Sequence, residues 1–409
     1  MATADNRSTH LVSTLTSQVE QRLLDRNPIV EEFFSSEAAR LAEACRAMSE
    51  RFIAGGRLLA FGRGPYATDA QHVSVEFVHP VIVGKRALPA LDISMLFRPW
   101  LEAILHPEDI VMGFGSPEGD DEILSSLRFA MEGRALTFAL SGARQGSSFP
   151  APNYEVRSPT PDPFIYQEII EILYHVLWES VHVFLEHREL GYEVGDAGFL
   201  YPFLGQEKQE TGDLIAQVAA SIRMKVHDDS LLREQVAREQ AETISNSVIA
   251  IHERLLRGGK LIIFGNGGSA TDANDFAIDC IMPPSGYRTV PAVSLSLEPA
   301  NITAVANDVG TDVIFLRQLI AQVRPEDVAI GISTSGGSRN IIMALDEARK
   351  RGLLTVALLG YDGGEILRKK LVDFPLVVRC DYIPRIQEVQ ASMYHVMREM
   401  LEVLVRGQA

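Results

Sequence analysis

The chain has 409 residues, more than one compact domain usually holds, so two domains of about 200 residues each are expected. Hydrophobic residues make up 46% of it, enough for two cores, and the formal net charge of −16 argues against nucleic-acid binding. No apolar run approaches the roughly 20 residues that span a bilayer, and the N-terminus lacks a signal-peptide pattern. Cys45, Cys280 and Cys380 show no metal-binding or disulfide spacing. We expect a cytoplasmic protein with no nucleic-acid or membrane partner.

Taken in chain order, both halves predict the same alternation of helices and strands. A long amphipathic helix precedes the short apolar run 57–62, which ends at glycine, and a new helix follows at once. The second half repeats this pattern around 260–265, and later apolar runs at 327–333 and 353–359 read as strands separated by a helix. Strands that alternate with helices predict an α/β fold with a parallel sheet covered on both faces.

Ordered internal matches indicate that the chain carries two copies of one domain. Their offsets grow slowly from 203 to 220, and the matched pairs are 56–72 with 259–275, 106–113 with 324–331, and 167–176 with 387–396. The duplication predicts domains at 1–205 and 206–409. The region 187–212 lacks clear periodicity and is the candidate linker.

Two turns in the second copy are rich in glycine and serine and are suited to an anion. Residues 265–269 follow one predicted strand and residues 333–338 follow another, and each turn opens a helix. Glycines allow close backbone approach, and a first helical turn offers unpaired N–H groups. Either turn alone would more often be an ordinary turn or N-cap. The absence of a Walker lysine and of GxGxxG disfavours a nucleotide ligand.

Four motifs of the second copy, in order, make a specific resemblance: FGNGGSATDA, AVANDVGTDVIFLRQL, GISTSGGSRNIIMAL and RIQEVQASMYHV. Together they resemble the bacterial phosphoheptose (sedoheptulose 7-phosphate) isomerases of the sugar isomerase (SIS) family over nearly all of 213–409. The resemblance implies tandem SIS domains, each a flavodoxin-like, three-layer α/β fold with helices on both faces of a parallel sheet. Because family members form tetramers, it also implies that this two-domain chain is a homodimer.

The resemblance also implies a function, a ligand and a set of contact residues. It implies a ketose–aldose isomerase that acts on a small sugar phosphate, uses zinc or another divalent metal, and needs neither nucleotide nor NAD. The substrate-binding positions that it suggests are Asn266, Gly267, Gly268, Ser269, Asn307, Asp308, Ser333, Thr334, Ser335, Ser338 and Gln387.

Family members also carry a quartet of metal-binding side chains on two helices, and two of the four are the proposed acid and base. The first copy retains all four as His72, Glu76, Gln167 and His175. The second copy has Asp275, Asp279, Gln387 and His395 at the matching positions. Helical spacing supports a site in each copy, because residues four apart share a helix face.

The two copies have diverged in complementary ways. The first keeps the quartet but has Arg63 in place of Asn266, and Asp120 in place of Ser338. We therefore expect a composite site, with phosphate ligands from the second copy and Glu76 and His175 from the first. A self-contained site in the second copy is the competing hypothesis.

Isomerisation through an enediol needs a carboxylate base and an imidazole acid. Glu76 with His175, or Asp279 with His395, could supply them. The rival reading from another class is a non-catalytic sugar-phosphate sensor or scaffold. The identity of the sugar stays open.

Overall fold

The structure, a computed structural model, describes residues 2–82, 85–142, 152–190 and 211–407. It contains two compact units, each of which combines segments of both sequence copies. Pro28–Asp228 forms the N-copy unit, and Met1–Asn27 with Asp229–Ala409 forms the C-copy unit. The compact units and the sequence copies therefore divide the chain differently, and the limits 1–205 and 206–409 stay a prediction from the repeat. Most of the predicted linker 187–212 lies outside the described residues.

The N-copy unit is built on a parallel five-stranded sheet in the order β2-β1-β3-β4-β5. Its strands are β1 (Leu58–Gly62), β2 (Ala90–Asp92), β3 (Ile110–Phe114), β4 (Leu136–Leu140) and β5 (Tyr154–Glu155). Its helices are the later part of α1 (Ala2–Ile53), then α2 (Ala67–Val78), α3 (Phe97–Ile104), α4 (Asp121–Glu132), α5 (Pro163–Leu190) and the start of α6 (Thr211–Leu256). The strand order is that of flavodoxin-like folds.

The C-copy unit repeats this topology with the order β7-β6-β8-β9-β10. Its strands are β6 (Leu261–Gly265), β7 (Ala292–Ser294), β8 (Val328–Ser333), β9 (Leu354–Leu359) and β10 (Phe374–Val377). Besides parts of α1 and α6, its helices are α7 (Gly268–Ile281), α8 (Pro299–Asp308), α9 (Ile314–Gln322), α10 (Arg339–Lys350), α11 (Gly364–Arg368) and α12 (Ile383–Gly407). The predicted α/β fold with two parallel sheets is confirmed.

Both faces of each sheet are covered by helices. Along β1, Leu58 and Ala60 pack into the core that contains residues of α1, α2 and α5, whereas Leu59 and Phe61 pack into the core that contains α3 and α4. The strands of the C-copy unit alternate in the same way between two cores. Burial on both faces explains why the strands read as continuous apolar runs, and it confirms the three-layer arrangement. None of the described helices is long and apolar enough to cross a membrane.

The topology brings two strand ends together at one edge of the C-copy sheet. β6 pairs in parallel with both β7 and β8, so the order of the chain reverses beside β6. Ligands of open α/β sheets bind at such a reversal, beyond the carboxyl ends of the strands. The turns after β6 and β8 therefore lie where the fold favours a ligand.

A buried ion pair tests the assignment of the start of α6 to the N-copy unit. Lys225 of α6 binds Glu179 of α5, and both side chains are buried. Lys225→Met leaves the Glu179 carboxylate without this cation, so we expect a loss of about 3 to 5 kcal/mol in the free energy of unfolding. Differential scanning calorimetry measures the loss as a lower melting temperature.

The double variant Lys225→Met/Glu179→Leu should recover most of this stability, because it removes both charges. The exposed pair Arg46–Glu50 is the control, and breaking it should cost no more than about 1 kcal/mol. Equal effects at the two pairs would contradict the buried role of Lys225.

Candidate functional site

The turn after β6 is the first half of the predicted anion cradle in the C-copy unit. Gly265 must be glycine, because a Cβ there would lie 2.1 Å from the Ser269 carbonyl oxygen. Gly267 has a φ of +58° and open space where a side chain would be, and α7 begins at Gly268. The backbone amides at the start of α7 are therefore accessible to a ligand over the glycines, while Ser269 is buried.

The turn after β8 forms the second half of the cradle. The amide of Gly336 donates to Ser333 Oγ at 3.2 Å, and Ser333 Oγ lies 3.4 Å from Ser338 Oγ. Ser338 is the N-cap residue of α10, yet its side chain makes no cap hydrogen bond. Asn340 Oδ1 instead accepts from the amide of Ile341 at 2.9 Å, so one first-turn amide of α10 has a side-chain acceptor other than the N-cap residue.

A pair of amide side chains joins the two turns. Asn266 Nδ2 donates to Asn340 Oδ1, and Asn340 Nδ2 donates to Asn266 Oδ1, both at 2.9 Å. This pair fixes the turn after β6 against the first turn of α10. The sequence reasoning named Asn266 but missed Asn340, although Asn340 lies only two residues beyond Ser338.

The N-copy unit satisfies the equivalent helix N-terminus with its own carboxylate. Asp120 Oδ1 accepts hydrogen bonds from the amides of Glu122 and Ile123 at 3.0 and 3.2 Å, which caps α4. Arg63 lies 3.2 Å from Asp120 and 3.0 Å from Glu122, so an ion pair stands where the C-copy unit has Asn266 and Asn340. An internal anion and its counter-ion thus stand at the N-terminus of α4, at the positions that match Asn266, Ser338 and Asn340 of the second copy.

Three side chains of the second quartet converge inside the C-copy unit. Asp275 and Asp279 lie on α7 and His395 lies on α12, and one ligand atom from each falls within 4.8 Å of the others. His395 Nε2 is 3.5 Å from Asp275 Oδ2 and 3.3 Å from Asp279 Oδ2. Tyr394 donates to Asp275 at 2.8 Å. Two carboxylates and an imidazole are a set of ligands that can bind a divalent cation.

Burial changes the acidity of this cluster. Burial and, to a smaller extent, the neighbouring Asp275 raise the pKa of Asp279 to about 7, against the opposing influence of His395. A carboxyl group that titrates near neutral pH can both take up and release a proton under physiological conditions. The geometry and the raised pKa of Asp279 therefore make Asp279 and His395 the candidate acid–base pair of the C-copy unit.

The other predicted substrate-contact residues of the second copy differ in how far they are buried. Gln387 is buried on α12, and Ser335 is exposed in the turn after β8. Asn307 donates to Asp308 at 2.8 Å at the exposed C-terminal end of α8. Thr334 is half-buried beside Ser333. Their roles in substrate binding stay predictions.

The quartet of the first copy forms a second buried cluster, in the N-copy unit. His72 Nε2 is 3.8 Å from Glu76 Oε1, and Gln167 donates to Asp69 at 3.3 Å. Burial and the nearby His175 hold the pKa of His72 well below its usual range, which keeps the imidazole neutral.

One member of this cluster was missed. Atoms of His72, Glu171 and His175 lie within 4.8 Å of one another. A signal was present in the sequence, because Glu171 lies four residues after Gln167 and four before His175, on the same helix face.

Comparisons with known proteins agree with this fold and these motifs. The C-terminal domain of glucosamine-fructose-6-phosphate aminotransferase from Francisella tularensis has the same fold, with a TM-score of 0.62 at 8% identity over 94% of each chain. A family model described as SIS domain matches residues 227–360. The structural likeness and the model match define an SIS-type α/β protein.

Two curated relatives give the family. The phosphoheptose isomerase of Geotalea daltonii is 37% identical over 188 residues, which are 46% of this chain and 97% of the relative. That of Helicobacter pylori is 40% identical over 185 residues, which are 43% of this chain and 95% of the relative. The chain belongs to the SIS-domain family that includes these phosphoheptose isomerases.

The raised pKa of Asp279 predicts a pH-dependent stability. Because its folded-state pKa of about 7 exceeds the ordinary 3.8, the stability that the protonated carboxyl contributes at low pH is lost as the pH rises towards 7. Asp279→Asn keeps the side chain uncharged. In metal-free buffer, the melting temperature of the variant minus that of the wild type should rise by on the order of 5 °C as the pH is raised from about 4 to about 8. A constant difference across this range would show that Asp279 does not titrate there.

The two helix N-termini predict effects of different size when the side chain of the N-cap residue is truncated to alanine. Asp120→Ala removes a cap and should lower the free energy of unfolding by about 1 kcal/mol. Ser338→Ala removes no cap hydrogen bond and should change it by less than about 0.5 kcal/mol without ligand. Thermal melts of both variants check this, and equal losses would mean that Ser338 also caps its helix.

Proposed function

We propose that the C-copy unit binds a sugar phosphate and that the protein is a ketose–aldose isomerase of the phosphoheptose isomerase type. The observation that carries this proposal is the N-terminus of α10, where the Ser338 side chain makes no cap hydrogen bond beside a glycine turn that is also open to an anion. The family membership supports it, and so does the fact that the relatives in Geotalea daltonii and Helicobacter pylori are phosphoheptose isomerases.

The phosphate is expected to lie between the two turns. Backbone amides at the starts of α7 and α10 would donate to it, and the hydroxyls of Ser333, Ser335 and Ser338 would add further donors. The Asn266–Asn340 pair would hold the two turns at a fixed separation. No lysine or arginine is required, since helix N-termini alone favour an anion.

Asp279 and His395 are the acid and base that the C-copy unit offers. As a carboxylate, Asp279 would take a proton from the carbon beside the carbonyl group, while His395 would protonate the carbonyl oxygen, and an enediol results. Return of the proton to the neighbouring carbon completes the isomerisation. A divalent ion held by Asp275, Asp279 and His395 would polarise substrate oxygens.

The positions of these groups along α7 favour a long sugar. At about 1.5 Å per residue, Asp279 lies roughly 15 Å along the helix axis from Ser269. A phosphate at the start of α7 would therefore leave the reacting carbons of a short sugar far from Asp279. We infer that a seven-carbon sugar phosphate such as sedoheptulose 7-phosphate fits better than a triose phosphate.

The test is an isomerase assay on the full chain with zinc and sedoheptulose 7-phosphate, in which the aldose product is separated and quantified. We expect turnover by the wild type and at least about 100-fold lower kcat for Asp279→Asn and His395→Ala. Ser338→Ala should raise KM, because it touches the phosphate site and not the reacting carbons. Binding of the sugar phosphate without turnover would instead support the sensor hypothesis, which the changes from histidine to Asp275 and from glutamate to Asp279 favour.

Matched variants of the first copy complete the assay. Glu76→Gln and His175→Ala are the counterparts of the Asp279 and His395 variants. If only the first-copy variants abolish turnover, the acid and base come from the first copy, as the composite hypothesis predicts. If only the second-copy variants do so, the C-copy unit is self-sufficient.

A further inference from the structure

We propose that α3 of the N-copy unit is an interface through which two copies of this chain associate. The surface, called the α3 surface below, consists of five exposed residues in and directly before this helix: Met95, Leu96, Pro99, Trp100 and Ala103. The proposal concerns assembly and does not depend on the isomerase activity.

A pair of serines aligns the two copies just before this helix. Ser94 Oγ accepts from the amide of Gly62 at 3.0 Å, and Ser296 Oγ accepts from the amide of Gly265 at 3.1 Å. Each serine therefore binds the glycine at the end of the central strand β1 or β6. Ser94 and Ser296 are equivalent, at an offset of 202.

A pair of aromatic contacts aligns the copies again just after this point. The ring centroids of Phe61 and Phe97 are 4.7 Å apart, and those of Phe264 and Phe315 are 5.4 Å apart. Phe97 and Phe315 are therefore equivalent, at an offset of 218. Between the serine and the phenylalanine the C-copy has 16 residues more, and α8 lies in this longer segment.

In the C-copy unit, α8 covers the surface that is equivalent to the α3 surface. Ile302, Val305 and Ala306 of α8 pack against the core that contains Ile314 of α9. Ile314 is 7% exposed, whereas its counterpart Leu96 is 58% exposed. The shorter segment of the first copy therefore leaves this face of α3 uncovered.

The uncovered face is more apolar than its covered counterpart. Trp100 stands where the second copy has Gln318, and Pro99 stands where it has Arg317. Trp100 is 47% exposed, whereas Gln318 is buried and donates to two backbone carbonyls. A face left open to water is expected to gain polar side chains, because contiguous exposed apolar patches mark interaction sites. The opposite change indicates that another surface covers α3.

The apolar residues form an uncharged stripe along the helix. Leu96, Trp100 and Ala103 follow one another at i, i+4 and i+7, which places them on one side of α3. Arg98 and Glu102 lie on a different side, where they pair with each other at 2.7 Å. Arg98 also lies over the ring of Phe129, at 4.2 Å from its centroid. The stripe itself therefore carries no charge.

An uncharged stripe suits a second copy of this chain. A two-fold interface joins the same surface of both copies, so the surface must be complementary to itself, and an apolar stripe meets this condition. Each chain carries a formal net charge of −16, so contact at an uncharged surface costs the least repulsion. Tryptophan is also among the residues that contribute most to binding at interfaces.

The α3 surface is a feature of the first copy alone. The resemblance that implies a homodimer rests on motifs of the second copy, and one of them, AVANDVGTDVIFLRQL, includes the end of α8. The equivalent surface is covered in that copy. Association through α3 therefore does not follow from the resemblance.

The experiment measures self-association of the full chain by sedimentation velocity over a range of protein concentrations. Trp100→Glu places a charge in the stripe and should raise the dissociation constant of the assembly at least about 30-fold. Met95→Glu should act in the same direction. For the wild type, added salt should strengthen association, because it screens the repulsion between the acidic chains.

Met224→Glu is the matched control for Met95→Glu. Met224 is a methionine of α6 in the same compact unit, is 53% exposed and is not part of the α3 surface, so its replacement should leave association unchanged. Pro99→Arg/Trp100→Gln gives α3 the side chains of the second copy without adding negative charge, and it should weaken association as well. Thermal melts verify that every variant is folded.

Two results would overturn the proposal. One is a wild-type chain that is monomeric at every concentration, and the other is an assembly whose dissociation constant is the same with Trp100→Glu as in the wild type. Neither readout involves turnover. Failure of the interface and failure of the proposed function are therefore separate outcomes.

Discussion

The first amides of a helix need acceptors, and this constraint explains how two copies of one fold came to differ. In both units a buried parallel strand ends in a turn that opens a helix at the same edge of the sheet. In the N-copy unit Asp120 supplies the acceptor and Arg63 balances its charge. In the C-copy unit the Ser338 side chain makes no cap hydrogen bond, and Asn340 accepts from the amide of Ile341 instead. The two helix ends are therefore satisfied by different side chains, and only the C-copy end is proposed to bind an anion.

A second constraint is the burial of charge in helices that are shared between units. α1 and α6 each contribute to both compact units. In the C-copy unit Arg26 of α1 lies 3.5 Å from Glu399, and in the N-copy unit Lys225 of α6 binds Glu179, which matches Glu399 at the offset of 220. Because a buried carboxylate without a cation is costly, these pairs favour the observed assignment of each helix segment. The copies therefore use equivalent ion pairs in equivalent places.

Much of the fold could be predicted from the sequence, because strands buried on both faces leave continuous apolar runs and the duplication gives each run twice. The turns at 265–269 and 333–338 were predictable from glycine and serine at strand ends. The division of α1 between units was not, since a helix that is amphipathic along its length gives no sign of where one core ends. Asn340 was missed because its partner Asn266 is distant in sequence, and only packing shows that they meet. Glu171 was missed although its helical spacing from His175 was visible in the sequence.

The most direct test of the account is a crystal structure of the full chain with sedoheptulose 7-phosphate. The account predicts a phosphate group between the turns 265–269 and 333–338, within hydrogen-bonding distance of the first amides of α10, with the N-terminus of α4 still capped by Asp120. A phosphate bound elsewhere while the Ser333–Ser338 turn keeps its ligand-free hydrogen bonds would contradict it.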